Sequence, residues 1–181
     1  MARFRVDVVV RPGVPELVSA GELRRVLRRV LQAAGAPVGA RVTLTLSDDT
    51  ELAELNLAHM GKEGPTDVLS FPLLSPASFP AHPGMGPGRR VGDEAGAFRL
   101  PPGEPVDLGD IVVSVERAME QARSGAGGQT GDVRWTPEQE LRLLITHGAL
   151  HLCGWDHAEP DEKAAMRGLE ARLLSEAPVP P

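Results

Sequence analysis

The amino-acid sequence predicts an α+β fold: a single domain with a four-stranded mixed sheet and about five helices. Two observations carry that prediction. Four short segments alternate apolar and polar residues or run briefly apolar, as strands do, and five longer segments repeat apolar residues at helical spacing. A length of 181 residues, with 41% apolar and 24% charged, suits one hydrophobic core and is short for two.

Residues 3–10, RFRVDVVV, alternate and then run apolar as the first strand. A helix over 22–34 follows, with Leu23, Val26, Leu27, Val30 and Leu31 on one face and Gly35 as its stop. Arg24, Arg25, Arg28 and Arg29 share the opposite face, which reads as a solvated stripe or as an RNA or ribosome contact. The second strand is 42–47, VTLTLS, after which Asp48 or Asp49 caps a helix through ELAELNLAHM. Residues 67–73 and 110–114 are the third and fourth strands, and Ser114 caps a helix through VERAMEQAR.

Thr136-Pro137-Glu138-Gln139 joins an N-cap, a first-turn proline and a glutamine three residues on, a strong helix start. That helix runs through ELRLLITHGALHLC and stops at Gly154. It is apolar nearly all round, so it is expected to be the buried central helix. A last helix over 160–174 opens with Pro160-Asp161-Glu162.

The domain is expected to span residues 1–175. Residues 72–105 hold 14 Pro or Gly in 34 positions, too few burial-competent residues to offset the entropy of ordering, and read as a flexible surface loop. The stretch SGAGGQTG at 124–131 reads as a linker, because no strand precedes it and no GK[ST] follows as in a phosphate-binding loop. Residues 176–181, ending in APVPP, are expected to be a disordered tail.

Composition narrows the function classes. No run of 18 apolar residues exists, so a membrane span is excluded, and MARFRVDVVVRPGVPE meets a charge and a proline before a signal-peptide core can form. A cytoplasmic protein is expected. Cys153, the single cysteine, leaves no internal disulfide and no cysteine-cage metal site. The net charge of −6 argues against a polyanion partner, but residues 1–41 carry eight arginines against Asp7, Glu16 and Glu22. With four Phe, two Trp and no Tyr, base-stacking platforms are few.

Three of the five histidines fall within eleven residues, as His147-x3-His151-x5-His157. His147 and His151 stand one helical turn apart, about 40° around the axis, so both imidazoles reach one point. Gly154 lets the backbone reverse, and His157 returns to that point. Three neutral imidazoles suit one zinc ion and leave a fourth position for water, the arrangement of a catalytic site. Imidazole also suits copper, nickel and iron. Cys153 lies toward the far side of the helix and is a poor fourth ligand. His59 reads as an exposed helix-end residue rather than a ligand or base. The spacing matches the H-E-x-x-H-x-x-G-x-x-H of metzincin proteases, but the position of their general base is Gly148 here, which decides against a protease. Asp156 reads either as a carboxylate orienting a ligand imidazole or as a solvated helix-flanking residue. The general base stays unassigned, so the catalytic residues are unknown.

HGALHLCGWDH resembles the H-G-x-L-H-L-x-G-[YW]-D-H signature of the YbeY endoribonucleases, bacterial rRNA maturation factors. Leu55-Asn56, the run from Pro65 to Phe71, and Leu108-Gly109-Asp110-Ile111 agree in order and spacing. The resemblance covers most of residues 1–175. It implies a zinc ion on His147, His151 and His157 of the central helix and its turn. It further implies cleavage of single-stranded RNA near the 3′ end of the small-subunit rRNA, with ribosomal RNA and the ribosome or its proteins as partners, and a part in ribosome quality control. Two features depart from the family: His59-Met60 stands where many members have Tyr-Arg, and the 72–105 loop is longer than usual. Lys62, or an arginine elsewhere, is a candidate substitute for that arginine. Two other readings stay open, a zinc hydrolase of another substrate and a ribosome-assembly or RNA-binding factor with a mainly structural zinc. Oligomeric state is not legible.

Overall fold

The structure, a computed structural model, describes residues 4–83, 105–125 and 134–175. Strand β1 (Arg5–Val10) leads through helix α1 (Ala20–Ala33) to strand β2 (Arg41–Ser47) and helix α2 (Asp49–Met60). Strand β3 (Val68–Pro72) and strand β4 (Asp107–Ser114) complete the sheet, and helices α3 (Val115–Ser124), α4 (Pro137–Leu152) and α5 (Pro160–Ser175) follow. The strands lie in the order β1-β2-β4-β3, the first two pairings parallel and the β3–β4 pairing antiparallel. This is the single-domain, four-stranded mixed sheet with five helices that the residue patterns predict.

Local chemistry explains where the helices start. Ser19, Asp48, Ser114 and Thr136 each accept a backbone N–H of the first turn, and Thr136 and Gln139 form a reciprocal capping box. In α1 the five apolar residues read from the sequence are all buried; burying each contributes about 1.5–3 kcal/mol. The opposite arginine face is only partly solvated. Arg24 and Arg28 extend their Nε–H groups toward the main-chain oxygens of Val6 and Phe4, at 3.3 and 3.5 Å. Since β1 ends the sheet, these two side chains cover an edge that would otherwise offer unpaired carbonyls to another strand.

The sheet has two unequal faces. The main core gathers β-strand residues with α1, α4 and α5, while Leu52 of α2 packs with Leu69 and Val112 on the other side. Helix α4 contacts α1, α3, α5, β3 and β4, which accounts for its apolar character on nearly every side.

Strand β4 begins three residues before the expected 110–114. Its pairing with β2 slips by one residue at Gly109, whose φ of +115° belongs to glycine. The bulge lets Leu108 and Ile111, three apart, both enter the main core, and so breaks the alternation that reveals a strand. A Cβ at Gly109 would lie 2.0 Å from the Phe71 carbonyl oxygen.

The segment expected to be a surface loop is docked over its first residues. Ser75 caps a short 3-10 turn over Pro76–Ser78, Phe79 is buried in the main core, and the His82 imidazole stacks on Trp155 with ring centres 3.9 Å apart. Two aromatic contacts supply here the burial that the Pro/Gly content does not suggest. The rest of the expected loop, 84–104, lies outside the described residues, as do 126–131 of the linker and the 176–181 tail.

Replacing Gly109 by Ala is expected to destabilise the protein by about 2–4 kcal/mol through strain and the clash with β3. Gly168→Ala, at an exposed position of α5 with open space around it, is expected to stabilise by about 0.5–1 kcal/mol. Urea unfolding midpoints of the two variants check both signs.

Candidate metal centre

The site sits at the C-terminal end of α4. The helix stops in a paired turn: the N–H of Gly154 donates to the His151 carbonyl and that of Trp155 to the Leu150 carbonyl, both at 3.0 Å. Gly154 takes φ +80° and lies against Pro76, so a Cβ there would approach the Pro76 backbone to 2.9 Å. This reversal returns the chain toward the helix end and brings His157 beside His147 and His151. One ligand-capable atom from each of the three lies within 4.8 Å of the others. They are the residues that the sequence singles out, and the structure brings them together.

Each helix imidazole is held from behind. The His147 Nδ1–H donates to Glu170 Oε1 at 2.8 Å, and the His151 Nδ1–H donates to the Trp155 carbonyl at 2.9 Å. Both acceptors lack a proton of their own, so they select the tautomer with its proton on Nδ1. The two Nε2 atoms face each other at 3.0 Å, and with both rings in the neutral form that binds a metal each presents a lone pair. Two such lone pairs repel unless a cation lies between them. Zinc–nitrogen bonds of about 2.0–2.1 Å place two ligand atoms no more than ~4.2 Å apart, so the helix pair fits one ion and the exposed His157 ring needs only a small adjustment. Burial first, then the two neighbouring imidazoles, push the His151 pKa down to about 4. The ring is therefore neutral at physiological pH, the form that ligates.

Other candidates from the sequence fall elsewhere. His59 packs edge-on against Phe71, on the α2 side of the sheet, and takes no part in the cluster. Cys153 is buried with its thiol pKa pushed up to about 12 by desolvation, so it offers no thiolate. The Asp156 carboxylate accepts the His157 main-chain N–H at 2.7 Å and so shapes the turn. Glu170 is the orienting carboxylate, and the residue patterns did not single it out. Its signal was available: with Glu162 it is one of two acids that share the buried face of α5 with Met166, Leu169 and Leu173.

Gly148 explains the missing protease base in structural terms. A Cβ there would approach Ile111 Cγ2 to 2.9 Å and Val68 Cγ2 to 3.0 Å, and Ser70 donates its hydroxyl to the Gly148 carbonyl at 2.9 Å. The position faces the sheet, so a glutamate could neither fit nor reach the cluster. A cleft of about 320 Å³ opens beside His147 and His157, lined also by Asp67, Gln121, Glu140, Lys163, Arg167 and Glu170. The Asp67 carboxylate accepts from Gln121 at 3.0 Å and from the Val68 N–H at 2.9 Å. Asn56, in another block of the resemblance, ties α2 to the Gly64 carbonyl at 2.8 Å.

Two outcomes are expected. Glu170→Gln lowers zinc affinity by about 10–100-fold, as loss of a carboxylate behind a ligand imidazole does; competition against a chromophoric chelator measures it. In the metal-free protein the depressed His151 pKa contributes stability above pH 6.5 that is lost as pH falls toward about 4. Urea unfolding of the wild type should thus weaken over that window more steeply than unfolding of His151→Gln.

A model of the Endoribonuclease YbeY family matches residues 15–178. Among curated relatives, Endoribonuclease YbeY of Symbiobacterium thermophilum is 39% identical over 155 residues, covering 84% of this chain and 83% of its own length. The Salinispora tropica protein of that name is 43% identical over 150 residues, covering 83% and 82%. The Mycobacterium bovis one is 39% identical over 173 residues, covering 94% and 82%. The solution structure of a Thermotoga maritima protein shares the fold, with a TM-score of 0.54 and 24% identity over 96% of this chain and 88% of that one. With the family model matching most of this chain and relatives near 40% identity, the chain belongs to the YbeY endoribonuclease family.

Proposed function

We propose that the chain is a zinc-dependent endoribonuclease that cleaves single-stranded RNA, acting in the cytoplasm in late rRNA maturation at the small-subunit 3′ end and in ribosome quality control. Its ligands are His147, His151 and His157, holding one zinc ion. The observation that carries this reading is the pair of Nε2 atoms facing each other at 3.0 Å, each imidazole fixed from its Nδ1 side. Family membership supplies the substrate class: relatives bear the name endoribonuclease.

Zinc bound there supplies a Lewis acid that polarises a phosphoryl oxygen and lowers the pKa of water to about 7. The chain's own residues do the rest. Glu170 keeps the Nδ1 proton on His147 and makes that imidazole a stronger donor. The Trp155 carbonyl does the same for His151, more weakly because it carries no full charge. The cleft beside His147 and His157 receives the substrate backbone. The peptidase version of a zinc hydrolase is disfavoured, because Gly148 leaves no room for the base it requires.

The test pairs metal analysis with an RNA cleavage assay. The purified chain should hold one zinc ion and cut single-stranded RNA. His151→Ala, or a chelator, should lower cleavage by at least about 100-fold; unchanged cleavage in both would sink the reading. Product ends separate two routes: cyclic phosphate marks attack by the RNA 2′-OH, free phosphate attack by water.

A further inference from the structure

The cleft beside the histidine cluster is lined on its α5 side by Lys163 and Arg167. They stand four residues apart, so they lie one above the other on a single stripe of the helix, and both are exposed. Among the described residues neither enters an ion pair or a side-chain hydrogen bond, although carboxylates are close by in sequence. Those carboxylates are committed elsewhere. Glu162 accepts the Glu159 main-chain N–H at 3.1 Å, and Glu170 holds His147. The carboxyl groups of Asp67, Glu140 and Glu170 line the same cleft, so within it Lys163 and Arg167 are the cations that attract a polyanion. In a chain of net charge −6, two unneutralised cations beside the candidate metal centre form a distinct local feature.

We propose that Lys163 and Arg167 grip successive phosphates of the RNA strand and set its register across the histidine cluster. This rests on the ribonuclease reading above. Both side chains are long and end in donors suited to phosphate oxygens, Arg as a planar fork and Lys as a mobile point charge. They touch the backbone and no base, so the contact positions the strand without selecting its sequence.

The experiment measures binding of a fluorescent single-stranded RNA to the zinc-loaded chain by anisotropy across a salt series. The wild type is compared with Lys163→Ala/Arg167→Ala and with a control, Arg5→Ala/Arg172→Ala, which removes two exposed arginines outside the cleft. For two lost phosphate contacts on a single strand, the slope of log affinity against log salt should fall by ~1.4 in the cleft variant. Its affinity at low salt should drop by about tenfold or more, with zinc content and thermal midpoint unchanged. In the cleavage assay KM should rise while kcat stays near the wild-type value. Unchanged slope and affinity, an equal loss in the control, or no measurable binding by the wild type would each overturn the proposal. A wild type that binds RNA through these residues yet does not cut it would uphold this contact and remove the nuclease reading instead.

Discussion

The approach of α4 to the sheet at Gly148 sets the position of everything else in the site. With no Cβ, the helix settles until its backbone meets Ile111, Val68 and Ser70, and the Ser70 hydroxyl fastens it there. Interiors are packed too tightly for that depth to vary freely. With residue 148 facing the sheet, the 3.6-residue repeat turns 147 and 151 toward α5 and the cleft. The imidazoles thus meet Glu170 on one side and each other on the other. A larger residue at 148 would lift the helix and move both rings together.

Much of this arrangement was legible in the residues, and the rest failed for identifiable reasons. Caps at Asp48, Ser114 and Thr136 mark helix starts because a side-chain oxygen must satisfy an exposed N–H of the first turn. The same logic applied to Ser19, but the apolar repeat of α1 begins only at Leu23 and drew its expected start inward. The first half of β4 was hidden because the bulge at Gly109 shifts the period by one residue, so Leu108 and Ile111 share a side that alternation would deny them. The histidine trio was visible because its members are close together in sequence. Glu170 was not singled out, since it lies 23 positions beyond His147 and becomes a neighbour only when α5 folds back.

Composition also misled about the segment after β3. Prolines and glycines suggested a chain with nothing to bury, yet Phe79 enters the core and His82 lies flat on Trp155. The same stretch places Pro76 against Gly154 at the reversal. Part of what reads as loop therefore buttresses the turn that carries His157.

The helix imidazoles lean on unlike supports. His147 depends on a side chain, so a single substitution at position 170 can retune its basicity, and descendants of this protein can adjust it by point mutation. His151 depends on the main-chain oxygen of Trp155, which every amino acid possesses. Its support is inherited with the shape of the turn and is insensitive to the identity of residue 155. One arm of the clip is open to evolutionary adjustment, and the other changes only if the backbone path does.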